Sequence, residues 1–317
     1  MFGHAPPKLV PPPRSVRYPK PPPRRRARMT IALGILAEGG AVIAADRQQS
    51  EGTLKLEQGK ISGLWVIGRG CIVLSGAGNG AYLDSLTSEL KTWFGDKTYA
   101  FDPEKFGEEL RNRNYDFYER SVMPFVPYEE SVDYELLACY APAPTPQEIA
   151  LAERLRATPG KGPAFWTSHK LVLTPEDQFA AVGIGATTAK ALFTKLWSPS
   201  LSLEIATNLA AYIVYQVKRT VKDVGLETDI AVVNRSMVWP LTGSEIDAME
   251  ARFKEYGQVE RASLYYCLGG DLSQYENVIG EAGEHKRVRT SMHKFFKQLN
   301  SKRAQRLNRP TRSVSEM

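Results

Sequence analysis

Cysteine and histidine are both scarce in this chain. Of 317 residues, three are cysteine (Cys71, Cys139, Cys267) and four are histidine (His4, His169, His285, His293). The cysteines are odd in number, widely spaced and never in a CxxC pair. This argues against a disulfide framework or a thiolate zinc site and fits a reducing compartment, the cytoplasm. No HExxH occurs, so no metal centre is expected. No apolar run approaches the ~18 residues of a membrane-spanning helix, and the amino end lacks the apolar stretch of a secretory signal. Gly76-Ala77-Gly78-Asn79-Gly80 resembles a phosphate cradle only superficially, because no lysine follows as a P-loop requires.

Acidic residues are absent from residues 1–28 and from 286–312, with Glu316 the one acid beyond. Residues 1–28 carry Lys8, Arg14, Arg17, Lys20, Arg24, Arg25, Arg26 and Arg28 with no acid, and residues 286–312 carry ten Lys or Arg, again with none. The net charge of +6 is therefore a property of the tails, and residues 29–285 are net acidic. Nucleic acid is not an expected partner of that body; any polyanion affinity belongs to the tails. Residues 1–28 are also proline-rich, which predicts a disordered or polyproline II extension or propeptide. Three regions follow: this extension, a folded body over 29–235, and a C-terminal extension over 236–317 with its basic tail. Within that tail Val288, Met292, Phe295, Phe296 and Leu299 share one helical face.

In the body, 30–36 and 41–45 read as a hairpin turning at Gly39-Gly40, with two more strands at 60–67 and 71–74. A helix places Leu83, Leu86, Leu90 and Trp93 on one face, and a second runs from Pro103 to Val122. Strands are expected at 134–140, 165–173 and 179–183, with a Pro/Gly-rich insertion at 141–163. Helices are expected at 187–196 and 202–222, a strand at 230–233 and a helix at 245–256. Strands, two helices, strands, two helices, strand is an α+β order that predicts two antiparallel sheets sandwiched between helix layers.

Thr30 follows Met29. Freed at an amino terminus, a threonine holds a nucleophile and a base in one residue, since an α-amino group titrates near ~7.7–8.0. Asp46 ends the strand that returns beside Thr30, and Lys60 opens the next. A lysine held by that aspartate favours the alkoxide and disfavours protonation of the amine. A backbone N–H of the small-residue loop, at Gly76, suits an oxyanion.

Thr30-Ile-Ala-Leu-Gly34-Ile35, Ala44-Ala45-Asp46-Arg47, Gly59-Lys60-Ile61 and Leu74-Ser75-Gly76 together resemble the amino-terminal half of proteasome β-subunits and of the related HslV peptidase. The resemblance implies the αββα sandwich of the N-terminal-nucleophile (Ntn) hydrolases. It implies Thr30 as nucleophile, Asp46 and Lys60 as catalytic partners and Gly76 as oxyanion donor. It adds Asp223 as a further catalytic residue, Ser50 beside the substrate backbone, and Gln49, Leu74 and Gly78 around the side chain before the scissile bond. It implies a threonine-type endopeptidase that uses no cofactor and acts on peptides or unfolded proteins inside a homo-oligomeric ring, fed by an ATPase unfoldase. The alternatives are an inactive ring-forming structural or regulatory paralogue and a non-peptidase Ntn amidohydrolase. Two positions depart from the family: Ile184 stands in Gly183-Ile184-Gly185 where the family has serine, and Leu226 stands three residues after Asp223 where serine is usual.

Overall fold

The computed structural model describes residues 30–51, 54–97, 101–124, 134–155, 162–198, 201–222, 224–234 and 237–267. The amino-terminal extension, the basic tail with its apolar face, and Asp223 lie outside them.

The first hairpin forms where the glycine pair predicts it: β1 (Ala32–Ala37) and β2 (Gly40–Asp46) turn at Gly39, whose φ of +83° suits glycine. A short polar hairpin, β3 (Gln48–Glu51) and β4 (Leu54–Glu57), then leads to β5 (Ser62–Val66) and β6 (Gly70–Gly78). No strand was expected at β3 or β4, although Leu54-Lys55-Leu56-Glu57 alternates. Two helices follow: α1 (Gly80–Asp96), capped by the Asn79 side chain, and α2 (Pro103–Phe117), capped by Asp102 and extended by a π-type turn to Val122.

The second half opens with β7 (Tyr134–Pro142) and α3 (Pro146–Leu155) inside the insertion. The expected strand over 165–173 is two strands, β8 (Ala164–His169) and β9 (Val172–Glu176). They fold back at Lys170, whose φ of +55° is a left-handed turn made without glycine. The chain continues through β10 (Phe179–Val182), α4 (Ala186–Leu196), α5 (Leu203–Thr220) and β11 (Thr228–Asn234). It ends in β12 (Val238–Pro240) and α6 (Gly243–Cys267). Residue 235 is no structural boundary: β12 pairs with β11, and Ile246 of α6 is buried in the body's core.

The strands form two antiparallel five-stranded sheets, ordered β10-β1-β2-β11-β12 and β5-β6-β7-β8-β9. Alternation along each strand splits the apolar residues between two faces. Ile31, Leu33, Ile35, Val42 and Ala44 face α4, α5 and α6. Ala32, Ala41, Ile43 and Ala45 face the other sheet, meeting Cys71, Val73, Leu137 and Cys139. Ile72, Leu74, Leu136 and Tyr140 pack under α1 and α2. The three cores are the three junctions of a helix–sheet–sheet–helix sandwich, the αββα fold. Small residues between the sheets allow close approach, and Gly34 is required there: a Cβ on it would lie 2.6 Å from the Phe165 ring.

Candidate active site

The register of the β1–β2 hairpin sets Ala32 opposite Ala45, so Thr30, just before β1, lies beside Asp46 at the end of β2. Thr30 is 4% exposed and Asp46 is wholly buried. The Thr30 hydroxyl donates to Asp46 Oδ1 and accepts from Lys60 Nζ. Lys60 Nζ lies 2.9 Å from the same Oδ1 and also donates to the Gln48 carbonyl. Thr30, Asp46 and Lys60 thus meet at one point. Lys60 sits in the connection from β4 to β5, two residues short of the strand it was expected to begin.

The aspartate is fixed from three sides. The Ile31 amide donates to Oδ1 at 3.0 Å, and the Gly225 amide donates to Oδ2 at 3.2 Å. These bonds and the ammonium offset the cost of burying the carboxylate. Burial lowers the Lys60 pKa below its ordinary value, and the adjacent Asp46 opposes that shift. The Lys60 amide donates to Asp229 Oδ2 at 3.3 Å. Burial raises the Asp229 pKa, against that bond and the nearby Arg47 guanidinium, which itself pairs with Glu227 at 2.9 Å and Glu57 at 3.1 Å.

Gly183 presses on the Thr30 backbone. Its φ is +94°, and a Cβ there would lie 2.2 Å from the Thr30 carbonyl oxygen. A Cβ on Gly185 would lie 2.6 Å from Val217 and 3.0 Å from Ile31. Both glycines of Gly183-Ile184-Gly185 are therefore sterically dictated, while Ile184 between them is 49% exposed. Leu226 is likewise exposed, at φ +60°.

The cluster opens into a cavity of about 510 Å³ between α1 and the segment carrying Gln58, Lys60 and Ser62. Thr30, Gly76 and Gly78 line it, and Gly78 has a φ of +99°. Leu74 does not line it: strand alternation turns that side chain into the core beneath α1, where it is 1% exposed. Gln49 and Ser50 lie in β3, paired with Leu56 and Lys55. Gln48, Gly183, Gly225 and Asp229 belong to the site and were not singled out for it from sequence. Gly183 was visible in its Gly-x-Gly setting; Gly225 and Asp229 carry no local signal.

No family model and no curated protein matches the chain. Solved structures do. Anbu (ancestral beta-subunit) from Yersinia bercovieri matches with a TM-score of 0.58 at 15% identity, over 74% of this chain and 97% of that one. The Anbu (Gly-1) mutant from Hyphomicrobium sp. strain MC1 matches with a TM-score of 0.57 at 13% identity, over 74% and 96%. Anbu from the same Hyphomicrobium strain gives 0.55 at 13%, over 74% and 97%. The chain shares the αββα sandwich fold of these Anbu structures, a likeness to the broad proteasome-like fold rather than to HslV in particular.

Proposed function

We propose that this protein is a threonine-type Ntn amidohydrolase cleaving peptide bonds. The observation that carries the reading is the seating of the Thr30 hydroxyl between the Asp46 carboxylate and the Lys60 ammonium at the mouth of the cavity. With Thr30 as the mature amino terminus, its amine takes the hydroxyl proton as Oγ1 attacks the substrate carbonyl carbon. The Lys60 charge favours the developing alkoxide, and Asp46 holds Lys60 and Thr30 in register. The Gly76 N–H receives the oxyanion. The C–N bond breaks, the proton passes to the leaving amine, and an acyl–threonine ester remains. Water then attacks that ester, releasing the acid and restoring the hydroxyl. Asp223 assists the amine, and Ser50, Gln49 and Gly78 border the substrate. The protein works as a homo-oligomeric ring that receives unfolded chains from an ATPase unfoldase.

Intact-mass analysis tests this directly. A mature mass beginning at Thr30, with an added epoxyketone or β-lactone adduct lost in Thr30→Ala, is the expected result. Residues 1–29 retained and no adduct under any condition would reject it. That outcome would favour a non-catalytic ring-forming paralogue, a reading that the exposed Ile184 and Leu226, in place of the family's serines, already supports.

A further inference from the structure

The cavity beside Thr30 contains a cation that the catalytic scheme does not use. Lys91, on α1, lines it, and its Nζ donates to the Ser62 hydroxyl at 3.2 Å. Among the described residues no carboxylate pairs with Lys91, although its side chain is half-buried. A partly desolvated charge met only by a neutral hydroxyl gains most from an incoming counter-charge. Ser62 follows Lys60 by two residues, so their Cα atoms are at most about 7 Å apart. Lys91, Ser62, Lys60 and Thr30 all line this one cavity.

We propose, on the peptidase reading above, that this cavity selects substrates with an acidic side chain next to the scissile carbonyl, the carboxylate docking on Lys91. Asp84, seven residues earlier on the same face of α1, is about 10 Å away along the helix axis. It also lines the cavity, and it accepts from Gln58 Nε2 at 3.4 Å. Asp84 is solvent-exposed, so water and salt weaken its pull on a basic side chain. Lys91 is the more buried of the two charges, and the Thr87 hydroxyl also lines the cavity.

The test separates binding from hydrolysis. Fluorescein-labelled peptide amides ending in Ala-Ala-Glu, Ala-Ala-Gln and Ala-Ala-Arg are titrated by anisotropy into the purified Thr30→Ala protein. Glu is expected to bind about tenfold more tightly than Gln, the scale of one charge-assisted hydrogen bond, with Arg the weakest. Lys91→Met should erase the Glu preference, Lys91→Arg should keep it, and Lys91→Glu should turn it toward Arg. Equal binding of the three peptides, an Arg preference with Lys91 in place, or no binding at all overturns the proposal. Hydrolysis is read in parallel with Thr30 intact. Glu-selective binding without any hydrolysis rejects the peptidase reading and leaves Lys91 as a carboxylate site.

Discussion

Asp46 and Lys60 form a 2.9 Å ion pair in which the acid is wholly buried and the base keeps 13% of its side chain exposed. The pair is asymmetric. Asp46 has two backbone amides and the Thr30 hydroxyl besides the ammonium, whereas Asp46 is the main anion opposing the burial of Lys60.

The asymmetry gives a pH prediction. The Lys60 pKa in the folded protein lies below its unfolded value, so between those two values the unfolded chain binds more protons. Stability therefore rises with pH across that interval. Asp46→Asn removes the strongest opposing influence and leaves burial, so Lys60 should lose its proton at a lower pH still. Carbon-13 NMR titration of lysine Cε reads this directly, and the alkaline limb of any hydrolytic activity should move the same way. A Lys60 titration unchanged in Asp46→Asn would contradict the pairing.

Gly183→Ala should be severe. The substitution places a Cβ at positive φ, 2.2 Å from the Thr30 carbonyl oxygen and 2.9 Å from Ala77 Cβ. A loss of about 2–4 kcal/mol is expected, measured by urea unfolding. The Thr30 segment must also shift, so adduct formation at Thr30 should fall by more than the loss of folded protein explains.

Lys218→Met tests the docking of α6. Lys218 Nζ reaches Glu250 of α6, Thr228 Oγ1 at 2.8 Å and the Leu226 carbonyl at 3.2 Å. Removing the ammonium leaves Glu250 against Thr228 without its cation. A cost of about 1–3 kcal/mol is expected, with Lys218→Met/Glu250→Gln less destabilised than the sum of the single changes. Strict additivity would mean that the two side chains do not interact.

Thiol reagents should spare the native protein at Cys71 and Cys139. Both are buried; burial pushes the Cys71 pKa up to about 12 and that of Cys139 well above the ordinary thiol value. Thiolate, the reactive form, is scarce at neutral pH. Mass spectrometry after iodoacetamide should show neither residue modified in buffer and both modified in urea.

The legible parts of this fold are those whose signals are local. Glycine at 39 and 40 and apolar alternation specify the β1–β2 hairpin, and that hairpin alone brings Asp46 to Thr30. The pairing of Gln48–Glu51 with Leu54–Glu57 is only four residues long, with Leu54 and Leu56 its sole apolar alternation, and no strand was expected there. The break between β8 and β9 falls at Lys170, without the glycine or proline that normally punctuates a chain. Leu74 resembled a pocket residue by position, but alternation from Ile72 turns it into the helix-side core. The Gly225–Asp46 bond spans 179 residues, and no sequence window contains both partners.

That long span has a temporal consequence. A ribosome that has released the first hundred residues has already supplied the hydroxyl, its acid and its base. It has not supplied the amide that clamps the acid, the carboxylate at 229 that anchors the lysine backbone, or the glycine wedge at 183. Only after the last sheet strand docks does the full seating exist. The emerging chain therefore carries Thr30, Asp46 and Lys60 long before their surroundings exist, and the site is set only when the second half of the sandwich has folded.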